Sequence, residues 1–257
     1  MPDVAHRRPA SPPPAPDRAP RASLADDVYE SIKAQVMDLA IAPGDRVNID
    51  ALARELAVSP TPVREALARL ESDGLVRKRP MSGYTATPLL TAAEFGHLFE
   101  MRLLLEVPAA RLAAHRAPAA AYDGLRATAT PPTGDEPPAW TDPGETRPRY
   151  RRYAAFTAQD VRFHELIAEL SGNPMLAEAT RRLHAHLHLH RLYLPGGPAA
   201  DTGAEHRRVA DAIAAGDPDA AAAAMTDHLT ATRARHIVVF ADGSGQDGAI
   251  GRTQRRE

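Results

Sequence analysis

The sequence predicts a mainly α-helical chain in two parts, a three-helix unit closed by a β-hairpin and then a longer bundle made only of helices. Two observations carry this. Apolar residues recur at helical spacing from residue 24 onward, whereas strand-like runs occur only on either side of Pro80-Met81-Ser82-Gly83. Proline and glycine turns then divide the remainder into segments of helical length, at Gly172-Asn173-Pro174, Pro195-Gly196-Gly197-Pro198 and Gly216-Asp217-Pro218.

Residues 1–22 hold seven of the 24 prolines and no hydrophobic period, which predicts a disordered tail. From Ser23, Leu24, Val28, Ile32 and Val36 repeat every four residues, with Asp26 three after Ser23 in the manner of a capping box, predicting a helix to about Ala40. Pro43-Gly44-Asp45 makes a turn. A short second helix carries Ile49, Leu52 and Leu56 behind an Asn48 cap, and a third opens at Ser59-Pro60-Thr61-Pro62 and ends at Asp73-Gly74. Prolines so early do no harm, because first-turn amides have no intrahelical acceptor. Leu75–Lys78 and Tyr84–Thr87 follow as the two strands. Three helices and a hairpin in this order describe a winged helix-turn-helix over residues 23–88.

The second part, residues 89–240, reads as wholly helical. Thr91 and Glu94 make a capping box ahead of Phe95, Leu98, Phe99, Arg102, Leu103 and Glu106, and Pro108 is expected to kink or restart that helix before it ends near Arg116. A weaker helix is expected near 118–128. Residues 129–149, with six prolines, predict a flexible insertion. Further helices are expected at about 150–171, 174–194, 202–215 and 218–240, and residues 241–257 predict a frayed tail.

Composition narrows the function. With 31 basic and 33 acidic residues the chain is near neutral, so any nucleic-acid binding must rest on a local motif. Aromatic residues at 5% argue against a base-stacking surface for single strands. Zero cysteines exclude disulfides and thiolate chemistry. With no apolar stretch for a signal or a membrane span, the expectation is a cytoplasmic protein with no membrane partner.

Charge within the winged unit is uneven: residues 59–87 hold five basic and three acidic side chains, where residues 24–88 hold eight and ten. The third helix offers small polar groups at its start and arginines about a turn apart, namely Ser59, Thr61, Arg64 and Arg69, which is what phosphate and base contacts require. Any one of these arginines would pass for an ordinary solvated residue; the complete helix-turn-helix-wing pattern is what makes them DNA contacts.

Eight of the eleven histidines lie between residues 164 and 236. Asp160 and His164 stand at i, i+4 beside the stripe of Phe156, Phe163 and Ile167. His206 lies 10 residues before Gly216, and His228 lies 11 after Asp217, so at ~1.5 Å per residue an antiparallel pair brings both imidazoles to one level. Three neutral imidazoles and a carboxylate suit a divalent ion of the zinc, nickel, manganese or iron class; the alternative is a set of separate inward histidines, each with a hydrogen bond. The run His184, His186, His188, His190 places alternate members on different helix faces and offers no single tetrahedral set.

The segment "LARELAVSPTPVREALARLESDGLVRKRPMSGY" resembles the DNA-binding segment of the GntR family of bacterial transcription regulators, and the helical remainder resembles the FCD effector domain of its FadR-like subfamily. The resemblance implies a homodimer that reads an inverted-repeat operator in double-stranded DNA. Ser59, Thr61, Arg64 and Arg69 would be contacts and Gly83 the wing tip. Pro60 stands where the family usually has a basic residue, which implies a different half-site. "DVRFHELIAELSGN", "EHRRVADAIAAGD" and "MTDHL" are similar to the three FCD blocks that bind metal, and Asp160, His164, His206 and His228 match them. Arg102, within "EMRLLLEVPAARLAA", would grip a small carboxylate effector; a salt bridge to Glu106 is the alternative. The function implied is a metal- and ligand-responsive regulator, a repressor sensing an organic acid. Two other readings are a metal-dependent hydrolase or oxygenase built on the Asp/His3 set, and a regulator whose metal is purely structural.

Overall fold

The computed structural model describes residues 24–81, 83–130, 150–192 and 199–241. The expected tails up to Ser23 and from residue 242, Ser82 of the hairpin and the insertion from residue 131 to 149 lie outside the described residues.

Helix α1 (Leu24–Met37) turns Val28, Ile32 and Val36 inward and ends three residues before the expected Ala40, with Leu39 in the left-handed region at φ 59°. Strand β1 (Arg46–Val47) follows. Helix α2 (Ile49–Glu55) is capped by Asn48, whose side-chain oxygen accepts from the Ala51 N–H at 3.0 Å. Ala57, at φ 53°, closes α2 while the Val58 N–H donates to the Ala53 carbonyl at 2.9 Å. This lets α3 (Pro60–Ser72) start at an angle to α2.

Strands β2 (Val76–Arg79) and β3 (Gly83–Ala86) pair antiparallel, Lys78 opposite Tyr84, and β1 adds to the other edge of β3, giving the order β1-β3-β2. A two-residue strand cannot show an alternation, so β1 carries no sequence signal and exists because β3 offers it an edge. Ile32, Val63, Leu67, Leu70 and Leu75 are fully enclosed between helices and sheet. Each such side chain contributes about 1.5–3 kcal/mol of transfer free energy.

Helix α4 (Ala92–Arg116) starts with both halves of the expected capping box, the Thr91 N–H donating to Glu94 at 2.8 Å and the Glu94 N–H to Thr91 Oγ1 at 3.2 Å. It stays one helix through Pro108, so the expected restart does not occur. The reason is orientation. Pro108 sits on the exposed face, and the carbonyl it leaves unpaired belongs to Leu104, 67% exposed and within reach of water.

A 3₁₀ turn (Ala119–Ala121) and α5 (Tyr122–Ala129) form the weaker helix; Ala129 is buried at its end, so the insertion begins later than expected. Helices α6 (Tyr150–Leu170), α7 (Pro174–Arg182), α8 (Ala185–Leu192), α9 (Ala199–Ala214) and α10 (Pro218–Ala241) complete the bundle. The single helix expected over 174–194 is two. His184 breaks it at φ 47°, its ring seated against Gly74, where a Cβ would come within 3.0 Å of His184 Cδ2. A contact distant in sequence thus overrides a helical pattern.

Helices α9 and α10 turn back on each other at Gly216 (φ 68°), and Asp217 accepts from the Ala220 N–H at 3.0 Å. Ala109, Ala110 and Ala113 of α4 let Phe163, Ile167, Val209, Ile213, Met225 and Leu229 pack close around them. Among the described residues, hydrogen bonds cross from the bundle to the winged unit. Arg191 Nη2 donates to the Thr87 carbonyl at 2.7 Å, and the Tyr150 N–H donates to Asp38 Oδ1 at 2.7 Å.

Candidate DNA-reading face and metal centre

Helix α3 buries Val63, Ala66, Leu67 and Leu70, so Ser59, Thr61 and Arg64 point outward and are exposed. Ser59 makes no side-chain cap, which leaves its hydroxyl free for a phosphate. Arg64 has no ion-pair partner among the described residues. Arg69 differs: Nη1 donates to Asp26 Oδ1 at 2.8 Å, and the guanidinium lies 4.0 Å over the Tyr29 ring, which holds it against α1. Gly83 takes φ 77° with open space around it, as the end of a hairpin requires.

The bundle brings Asp160, His164, His206 and His228 together from α6, α9 and α10. The ligand atoms of His164, His206 and His228 lie within 4.8 Å of one another. Asp160 Oδ1 lies 3.4 Å from His206 Nε2 and 4.0 Å from His164 Nε2. Phe163 stacks on His206 with centroids 4.0 Å apart and fixes its ring plane. All three imidazoles are buried.

Burial pushes His164 down to about 4, pushes His206 well below the usual range, and lowers His228. These rings are therefore neutral at physiological pH and carry lone pairs. Burial would raise Asp160, but the imidazoles facing it, His186 foremost, hold its carboxyl well below the usual range. His164 Nε2 and His206 Nε2 are buried with no hydrogen-bond partner. Two orphaned acceptors aimed at one carboxylate are costly unless a cation satisfies them, so the residues present fit a divalent ion.

Behind these residues stands a second layer that the spacing argument does not identify. Glu205 Oε2 is 2.8 Å from His228 Nδ1, and Arg235 clamps both Glu205 oxygens at 2.7 and 2.9 Å. Burial would raise Glu205, yet Arg235 and His228 bring it down to about 2. Glu106 Oε2 lies 2.6 Å from His164 Nδ1, off the line of a well-directed hydrogen bond, and Arg102 holds Glu106 through Nε at 2.6 Å and Nη2 at 3.2 Å. A carboxylate behind a ligating imidazole fixes its tautomer and aim. The structure therefore gives Arg102 the ion-pair role. Its place is behind His164, whereas a narrow cleft with room for about one water molecule lies beside Asp160 and His206, lined by Thr128, Phe156, Gln159 and Thr202.

The family profile described as "Bacterial regulatory proteins, gntR family" matches residues 24–85, and that of the FCD domain matches residues 97–231. The chain belongs to the GntR family. Among relatives of this GntR-family regulator, the uncharacterized HTH-type transcriptional regulator YdhC of Bacillus subtilis is 27% identical, over 78% of this chain and 85% of its own. A protein of Paenarthrobacter nicotinovorans named for repression of a D-xylose utilization operon is 27% identical, over 83% of this chain and 89% of its own. The fold is similar to that of Escherichia coli McbR/YncC, with a TM-score of 0.58 and 23% identity, covering 86% of this chain and 99% of that one. The winged unit plus FCD bundle is thus a DNA-binding transcriptional regulator, a class that does not include the hydrolase or oxygenase alternative.

No described helix is long and apolar enough to cross a membrane. The sequence signal for Glu205 was available: it adjoins His206 at the head of the "EHRRV" block, and a carboxylate next to a ligand is a standing candidate for the outer shell.

Proposed function

We propose that this regulator is a cytoplasmic repressor whose bundle binds a divalent ion through Asp160, His164, His206 and His228 and takes a small organic acid at that ion. The observation that carries this reading is the pair of orphaned, buried Nε2 atoms of His164 and His206 facing Asp160. A bound divalent ion would supply a positive charge for an effector carboxylate. The narrow cleft beside Asp160 and His206 would be the approach once it widens to admit an acid, with Gln159, Thr128 and Thr202 as polar contacts. Arg102 serves by holding Glu106 behind His164.

Two copies would read an inverted repeat, with Ser59, Thr61 and Arg64 on phosphates and bases, Arg69 at the edge of that surface and Gly83 at the wing tip. Exposed Met101 and Leu104, followed by exposed Pro108, give α4 an outward apolar stripe suited to a second copy. The relative named for repression supports the sign of the response. Residues 23–88 would be the reader and 89–240 the sensor. For switching, the effector must prefer one of the two DNA-binding states.

The test is fluorescence anisotropy of the full chain on the DNA beside its own gene, at fixed salt, with metal, with chelator and with a panel of small carboxylic acids. Tight selective binding released by one acid only when metal is present is the expected result. Binding that depends on metal and ignores every acid would make the ion itself the signal or a structural element. No selective binding in either form would reject the reading.

A further inference from the structure

We propose that His186 is a fifth protein ligand of the metal centre, so that the ion is held by one carboxylate and four imidazoles; this rests on the metal reading above. His186 is the second residue of α8, and the break at His184 aims that helix. On α8, His186 and His190 face α6, while His184 lies against Gly74 of the winged unit.

His186 Nδ1 is 2.7 Å from Asp160 Oδ2, the carboxylate oxygen opposite the one that faces His206. Its ring is buried and its centroid lies 4.6 Å from that of His164. The donor atoms of Asp160, His164 and His186 lie within 4.8 Å of one another, as do those of His164, His206 and His228. Two triangles of donors thus share His164. Around one ion with bonds of ~2.1 Å, donor atoms are at most ~4.2 Å apart, so each triangle comes close to the span of one ion, and the shared His164 places the two side by side.

The outer layer marks the same role. His164 and His228 each have a carboxylate behind the ring, Glu106 and Glu205, which leaves Nε2 for the ion. His186 has its nearest carboxylate in front of it, and that carboxylate is itself a ligand. Without an ion, His186 Nδ1 shares a hydrogen bond with Asp160 Oδ2; with the ring proton carried on Nε2 instead, Nδ1 would be a donor atom on the same side as that carboxylate. Four imidazoles favour nickel and zinc over manganese and leave less of the ion open to an incoming carboxylate. They also tie the ion to α8, whose Arg191 bonds the Thr87 carbonyl.

The experiment uses the full chain, stripped with chelator and reloaded with Co(II) or Ni(II). The readouts are competition affinity against a chelating dye and the imidazole count from X-ray absorption. The variants are His186→Gln, which keeps a hydrogen-bond donor for Asp160 but no imidazole, His190→Asn one turn further along α8, and His206→Asn. Support is a count of four in the unmodified protein falling to three in His186→Gln, with affinity lowered about tenfold or more and His190→Asn unchanged. A count of three in the unmodified protein, or unchanged affinity in His186→Gln while His206→Asn loses the metal, overturns the fifth ligand and leaves the four-residue site standing. Failure of the unmodified protein to bind either metal overturns both. His186→Asn, with matched circular dichroism, replaces the Gln variant if that one does not fold.

Discussion

The proposed reading face and the candidate metal centre of this regulator pose opposite problems. Ser59, Thr61 and Arg64 sit within six residues at the start of one helix and are exposed, as partners outside the protein, phosphates and bases in the proposed reading, would require. Asp160, His164, His206 and His228 come from three helices and are drawn out of water, because only burial keeps the imidazoles neutral and their lone pairs unspent. A surface that binds a polyanion is assembled locally and paid for by solvent; a site that binds a cation is assembled by tertiary packing and needs a second layer, Glu106 with Arg102 and Glu205 with Arg235, to aim it.

That contrast can be broken most sharply at Arg64. Arg64→Ala is expected to cost about 2–6 kcal/mol in operator binding, twice the loss of one base contact because the proposed symmetric dimer would lose two, with the melting temperature unchanged; anisotropy at fixed salt measures it, and unchanged affinity would reject the assignment. A second expected effect is on acid stability. His188 and His236 are lowered by burial from 6.5 to about 4, so below pH 6.5 the unfolded chain takes up protons that the folded chain refuses. Stability of the metal-free protein therefore falls between pH 6.5 and 4, by up to about 1.4 kcal/mol per pH unit for each histidine, and is flat above pH 7.5. Thermal melts across that range test it, and a flat profile would contradict neutral buried histidines. Glu205→Gln tests the second layer: metal affinity is expected to drop about 10–100-fold while operator affinity at saturating metal stays the same. The smallest expected effect lies in the reader: Ala57→Gly, relieving a left-handed alanine, should stabilise by about 0.5–1 kcal/mol, seen as a modest rise in melting temperature.

The same contrast explains what could be read in advance. Asn48 as a cap, the Thr91–Glu94 box, the α3 boundaries and the hairpin were legible because each is decided within a few residues. The convergence of His206 with His228 was legible because one turn and helical rise determine it. Where distant groups decide, local pattern failed. The split of the 174–194 helix depends on Gly74 meeting His184, β1 depends on the edge of β3, and Pro108 is harmless only because that face of α4 is exposed. Glu106 entered the sequence reading as a partner for Arg102, which it is; that the pair also backs His164 depends on how α4 packs against α6.

The Arg191 guanidinium is buried, its pKa lowered to about 10 by that burial, and it meets the winged unit at the Thr87 carbonyl. A main-chain oxygen is present whatever side chain occupies the position. The helical bundle therefore grips the winged unit through a handle that is blind to that unit's side chains, and the DNA-binding surface can diverge without rewriting this joint. A hybrid in which a relative's winged unit is joined ahead of Pro88 would inherit the contact unchanged.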